Sequence, residues 1–169
     1  MIVMKFGGSS LESAAAIERV SGIVAARGEQ HPVVVVSAMG KTTNALLAIA
    51  HAAVGGERDA ALLRLHELRD FHLQHSGMER TIEEHFQQLT ELVKGLAVLG
   101  ELTPRSLDAI ASFGERLSSL IVTRHFQRLG LPAKQIDARQ VIVTDRRHTQ
   151  AVPLLQRCNA RLKECVQPW

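Results

Sequence analysis

The spacing of apolar residues changes along this chain. Ile2-Val3-Met4 is a short unbroken apolar run, and it predicts a buried strand over residues 2–6. Over residues 11–27 the apolar positions recur at helical intervals, with Ala16, Val20 and Ile23 beside Ile17 and Val24, and Gly28 ends the helix. Pro32 then opens Val33-Val34-Val35-Val36, four β-branched residues without alternation. Such a run suits a parallel strand buried on both faces. Ser37-Ala38-Met39-Gly40-Lys41 reads as a loop, and Thr42 or Thr43 starts a helix that stops at Gly55-Gly56. A helix between two strands is the crossover that a parallel pair requires.

Residues 57–111 change character and read as almost entirely helical. One helix carries Leu62, Leu65 and Leu68, and another carries Ile82, Phe86, Leu89, Val93 and Leu96. Thr103-Pro104 is a cap followed by proline at the first helical position. This stretch is expected to be a helical insertion that covers the sheet edge or makes an oligomer contact. Its Ile82-to-Leu96 stripe reads as core packing, with a dimer contact as the other reading. Ser112-Phe113-Gly114-Glu115 opens a helix that Gly130 stops. Leu131 to Asp137 reads as a third strand, Val141 to Thr144 as a short fourth strand, and residues 152–165 as a last helix stopped by Pro168. The fold class expected is α/β, a mainly parallel sheet with helices on both faces. The pattern ends where a doubly wound fold would continue, so a truncated domain is expected.

Bulk properties narrow the function without choosing it. With 169 residues, 46% hydrophobic and 22% charged, the chain suits one soluble domain. The net charge of +3 comes from interleaved acids and bases rather than from a basic face. Aromatic residues are 4% and tyrosine is absent, so no base-stacking platform is expected. No nucleic-acid partner is therefore expected. Neither a signal peptide nor a membrane-spanning run is legible, and Cys158 and Cys165 lie too far apart along a helix for a disulfide. A cytoplasmic protein with reduced thiols is expected. Of the eight histidines, His66, His72 and His75 fall on one probable helix. No further ligand completes a cluster, so no metal site is expected.

The chemistry concentrates at three loops. Lys5-Phe6-Gly7-Gly8-Ser9-Ser10 follows the first strand: a cation, two glycines and two hydroxyls before a helix. Glycines let backbone N–H groups approach an anion, and a helix N-terminus adds partial positive charge. The lysine precedes the glycines, so this is neither a Walker A loop nor the dinucleotide fingerprint. The alternative is a plain turn in which Ser9 or Ser10 caps the helix. Ser37 to Asn44 follows the second strand, and Ser112 to Glu115 opens a later helix. Ser112 and Glu115 also have capping-box spacing, and Thr42 or Thr43 has a plain use as a cap. Together the three loops offer a cation, backbone donors, hydroxyls and one carboxylate. That inventory suits phosphoryl transfer, where positioning and electrostatics do most of the catalysis.

These residues resemble a known family. Met4-Lys5-Phe6-Gly7-Gly8-Ser9-Ser10, Val35-Val36-Ser37-Ala38-Met39-Gly40-Lys41-Thr42-Thr43-Asn44 and Ser112-Phe113-Gly114-Glu115-Arg116-Leu117-Ser118-Ser119 are similar to the three N-terminal motifs of aspartokinases, in the right order. Asp137-Ala138-Arg139 and Thr144-Asp145 also resemble that family. The resemblance implies an amino acid kinase-like fold and a phosphotransferase moving the ATP γ-phosphoryl group to the β-carboxylate of L-aspartate. It implies that Lys5 is catalytic and contacts the phosphates, with Gly7, Gly8 and Ser9 lining the same loop. Ser37, Thr43 and Glu115 are implied to bind aspartate, Glu115 through the ammonium. ATP with Mg2+ is implied as co-substrate with no tightly bound cofactor, and a homo-oligomer, most simply a dimer, is implied. The product, 4-phospho-L-aspartate, leads towards lysine, threonine and methionine.

The resemblance covers residues 1–169 as the N-terminal portion of the kinase domain. The later glycine-rich nucleotide motif and the ACT regulatory domains of that family are not found within these 169 residues, and a truncated kinase domain is expected. No appreciable kinase activity is therefore expected of this chain alone. Two rivals stand beside this reading. One is another member of the amino acid kinase superfamily acting on a glutamate derivative, carbamate or a nucleotide. The other is a non-catalytic anion-binding or assembly module that associates through an unfinished sheet.

Overall fold

Ile2–Phe6 (β1) and Pro32–Val36 (β2) pair in parallel, with Ile2 opposite Pro32 and Phe6 opposite Val36. The computed structural model describes residues 1–77 and 79–166. The crossover between the strands is Ala14–Ala25 (α1), capped by Ser13, whose hydroxyl accepts from Ala16 N at 3.2 Å. The helix therefore starts later than residue 11, because the chain first makes a 3-10 turn at Gly8–Ser10. Thr42–Val54 (α2) follows β2, then come Arg58–Ser76 (α3), Glu79–Leu99 (α4), Pro104–Ala111 (α5) and Phe113–Arg128 (α6). Thr103 caps α5 as expected, its hydroxyl accepting from Ser106 N at 3.1 Å.

The two-stranded sheet is one-sided. Met4, Phe6, Val34 and Val36 pack on the core, while Val3 is 67% exposed and Val35 47% exposed. Burial on both faces is thus not what the described residues show. Strand side chains alternate between faces, and exposed Lys5 shares the open face with Val3 and Val35.

Helices α3 to α5 form the segment read as an insertion. They pack chiefly on α2 and α6 rather than along the strands. Ile82, Phe86, Leu89, Val93 and Leu96 are all buried, in one core with Leu46, Ile49, Ile110 and Leu117. Helical spacing put these five residues on one face of α4, and that face is what α2 and α6 cover.

The two later strands do not form. Residues 131–137 run without ladder hydrogen bonds, Ala138–Val141 (α7) is a helical turn, and Thr144 makes only an isolated antiparallel bridge to Pro153. Leu131 and Ala133 still pack on the core. What is missing among the described residues is a neighbouring strand to take the backbone donors and acceptors. Asp137 instead caps α7, accepting from Arg139 N at 2.9 Å and pairing with the Arg139 guanidinium at 2.6 Å. That hydrogen bond from Arg139, foremost, holds the Asp137 carboxyl below its usual range. Leu155–Cys165 (α8) is the last described helix, and Pro168 lies outside the described residues. Cys158 is buried, its Sγ accepting from Val143 N at 3.2 Å and donating to Val143 O at 3.3 Å.

His72 and His85 make stability depend on pH. Burial, first of all, holds both imidazoles below the ordinary histidine value of 6.5. Near His72 the charge of His75 also lowers it, against the raising effect of the Leu68 carbonyl. Near His85, Arg116 lowers it and Glu84 opposes. In the window just below 6.5 the unfolded chain therefore binds more protons than the folded one, so stability is complete above it and is lost as pH falls. The thermal midpoint should drop from about pH 7 to about pH 5, and His72→Leu should flatten that slope. Equal slopes for both proteins would refute the assignment.

Candidate functional site

The first loop is shaped by close backbone contact. β1 ends at Phe6, and Ser10 N and Leu11 N bond Gly7 O and Gly8 O at 3.0 and 3.1 Å. Ser13 caps α1, so neither Ser9 nor Ser10 has that role. A β-carbon built on Gly8 would lie 2.8 Å from Ala38 O and 2.9 Å from Gly40 O. Gly40 N bonds Gly8 O at 3.0 Å. Glycine is required here because the second loop lies directly against its backbone. A β-carbon on Gly7 would lie 3.7 Å from Lys5 Nζ, so the ammonium stands beside the same turn.

The second loop continues the sheet. Ser37 N bonds Phe6 O at 3.0 Å, and Gly40 takes a left-handed φ of 50° before α2 begins. Neither Thr42 nor Thr43 caps α2. Lys41 is the cap residue, without a side-chain cap, because Thr42 is already the first helical residue and turned inward. Thr42 N bonds Met39 O at 3.0 Å, Thr42 is buried and Thr43 is half-buried.

The third motif packs onto the second. A β-carbon on Gly114 would lie 2.7 Å from Ala38 Cβ and 3.6 Å from both Thr42 Cγ2 and Thr43 Oγ1. One turn later Ser118 Oγ donates to Ser37 O at 2.7 Å. The capping box does not form: Ser112 has helical backbone and its hydroxyl donates back to Ala109 O at 2.8 Å. Glu115 is thus exposed in the first turn of α6 without a capping role. On another side of α6 the Arg116 guanidinium lies 4.1 Å over the Phe113 ring and donates to Gln88 Oε1 at 3.2 Å. Burial, then the charge of Arg139, lowers its proton affinity.

The seven residues named from sequence lie on three adjoining segments: the end of β1 with the turn after it, the stretch from Ser37 into α2, and the first turn of α6. Lys5 stands near the end of β1 and Gly7, Gly8 and Ser9 in the turn that follows, Ser37 and Thr43 flank the second loop, and Glu115 is in the first turn of the helix packed on it. Not singled out from sequence were Ala38 and Gly114, whose near-contact seats α6, and Ser118. Their signal was small size inside a motif. Also missed was the contact of Thr42 with His72. His66 pairs with Asp70 at 3.5 Å and His75 packs edge-on to Phe71. Among the described residues no group of three or more His, Cys, Asp or Glu is placed to hold a metal ion. Among them, too, no helix is long and apolar enough to cross a membrane.

A parallel strand pair whose following loops carry a lysine-glycine-glycine turn and hydroxyls defines a class, and comparison with known proteins agrees. Residues 1–164 match the amino acid kinase family, and the chain belongs to it. Within it the chain corresponds to the N-terminal part of an aspartokinase kinase domain. It is 39% identical over 151 residues to aspartokinase 2, chloroplastic, of Arabidopsis thaliana, covering 85% of this chain and 28% of that protein. Lysine-sensitive aspartokinase 3 of Escherichia coli is 30% identical over 155 residues, covering 90% of this chain and 34% of that protein. The crystal structure of E. coli aspartokinase III in complex with aspartate and ADP superposes with a TM-score of 0.89 at 26% identity, over 99% of this chain and 38% of that one. The chain thus spans 28–38% of the length of these relatives.

Proposed function

We propose that this chain supplies the N-terminal part of an aspartate kinase site, in which the γ-phosphoryl of ATP passes to the β-carboxylate of L-aspartate to give 4-phospho-L-aspartate and ADP. The observation that carries this is the convergence of the three motifs: Gly8 against Ala38 and Gly40, and Gly114 against Ala38 and Thr43. A related E. coli enzyme crystallised with aspartate and ADP supports the ligand classes.

In this reading Lys5 places a full positive charge beside the Gly7–Gly8 turn, where transferred phosphate oxygens develop negative charge. Ser37 and Thr43 orient aspartate by hydrogen bonds, and Glu115 pairs with its α-ammonium. What suits a phosphate at this turn is the Lys5 ammonium beside Gly7, whereas the close carbonyl oxygens of Ala38 and Gly40 at Gly8 serve packing of the two loops. The same residues include one carboxylate, Glu115, which this reading assigns to the aspartate ammonium, so Mg2+ would be held chiefly by the ATP phosphates and water. Mg2+ would neutralise phosphate charge when bound with ATP, and no step here depends on it. The chain alone is proposed to be inactive, the whole enzyme to be a cytoplasmic homo-oligomer serving lysine, threonine and methionine synthesis.

Calorimetric titration of L-aspartate into the folded chain tests the reading, with L-glutamate as competitor class and Glu115→Ala as control. Aspartate-selective binding that weakens at least about tenfold in Glu115→Ala is expected, since removing one charged hydrogen bond is worth about 1.5–3 kcal/mol. Equal binding of both amino acids, or affinity unchanged in Glu115→Ala, would overturn the role of Glu115.

A further inference from the structure

His72 is buried, lies on α3 rather than on any of the three motifs, and has no part in the proposed chemistry. Its Nδ1 is 2.8 Å from Leu68 O. A carbonyl only accepts, so Nδ1 carries the proton. In the neutral ring Nε2 is then an acceptor. Thr42 Oγ1 stands 3.5 Å from that Nε2, and both groups are buried away from water. The Thr42 hydroxyl must therefore be the donor. At this distance the bond is long, so its effect is orientation more than stabilisation. The ring plane is itself held edge-on by Phe71 at 5.3 Å and Phe86 at 5.6 Å.

Threonine converts that orientation into packing. Its hydroxyl and methyl share one β-carbon, so a hydroxyl turned to His72 fixes where the methyl goes. The methyl lies 3.6 Å from the β-position of Gly114, the same distance as the Thr43 hydroxyl. We propose that His72 is a positioning residue for the aspartate-binding side of the site: through Thr42 it sets how the first turn of α6, with Glu115, seats on the start of α2, with Thr43. This rests on the substrate reading given above for Thr43 and Glu115. Residues 57–111 would thereby tune substrate geometry as well as fill the core.

Three variants of the full chain test it: His72→Leu keeps apolar volume and removes the acceptor, His72→Gln keeps an acceptor, and Thr42→Val removes the donor. The readouts are amide NMR shifts at Thr43, Gly114 and Glu115, aspartate affinity, and the thermal midpoint. In His72→Leu the three amides should shift and affinity should fall about tenfold, as a misplaced binding group predicts. His72→Gln should recover affinity to within about threefold, and Thr42→Val should match His72→Leu, with the double variant no weaker than either single one. Wild-type amide shifts and affinity in both His72→Leu and Thr42→Val would overturn the proposal. So would affinity that follows the thermal midpoint alone, with no rescue by His72→Gln. Should the wild-type chain fail to bind aspartate, the substrate reading fails separately. The amide shifts of Thr42→Val, which leaves the histidine in place, would then still decide whether this contact seats α6.

Discussion

Phe86→Ala is expected to destabilise the fold by about 3–5 kcal/mol, the usual range for deleting a buried phenyl ring. Phe86 is buried in the middle of α4 and packs edge-on to His72 at 5.6 Å. It belongs to one core cluster that residues of α2 and α6 share with residues 57–111. A domain this size has about 5–15 kcal/mol in total, so the loss would bring it close to unfolding at room temperature. Urea unfolding followed by circular dichroism should show one transition with a lower midpoint and an unchanged slope. An insertion that merely sat on the sheet would behave otherwise: it would melt first, giving two steps and leaving the strands folded. One step is expected because α2, the helix that carries Thr43 at its start, is the main surface on which α3, α4 and α5 pack.

Gly114→Ala should destabilise the chain by about 1–3 kcal/mol, as overpacking does, although alanine is the better helix former by about 1 kcal/mol. The new methyl would sit 2.7 Å from Ala38 Cβ, well inside contact distance. Ala38 is buried, and its carbonyl oxygen already lies 2.8 Å from the β-position of Gly8. Movement of Ala38 away from α6 is therefore passed to the lysine-glycine-glycine turn, and aspartate affinity should fall along with stability. The compensating exchange is Ala38→Gly. Combined with Gly114→Ala it removes the clash, and the double variant should regain more than half of the loss. An additive double variant would show that the two residues do not touch in solution.

Local pattern carried much of this architecture. Five residues before Gly7 form β1, a valine run after Pro32 forms β2, and the helical intervals between them form α1. Thr103-Pro104 started α5 because cap and first-turn chemistry are local. The apolar stripe of α4 identified its buried face for the same reason. The same kind of pattern failed over residues 131–137. Leu131 and Ala133 do pack on the core, yet no strand formed. A strand is defined by hydrogen bonds to another segment, and periodicity within one segment does not supply them. Capping was misjudged where two polar residues competed: Ser13 rather than Ser9 or Ser10 caps α1, and Ser112 bonds back to Ala109 instead of capping α6.

Sequence by itself determined the residue types of the candidate site, the order of the first strand, helix and strand, and the family resemblance of three motifs. These are properties of neighbouring residues, which chain connectivity already holds together. Tertiary structure alone decided that Gly8, Ala38, Gly40 and Gly114 meet backbone to backbone or methyl to backbone, that Ser118 ties α6 to Ser37, and that a buried histidine of α3 reaches Thr42. Each of those contacts joins residues 30 or more positions apart, and the last two separations are 81 and 30. Their distances depend on how whole helices pack, and packing is settled by the shape of the shared core rather than by any short stretch of chain.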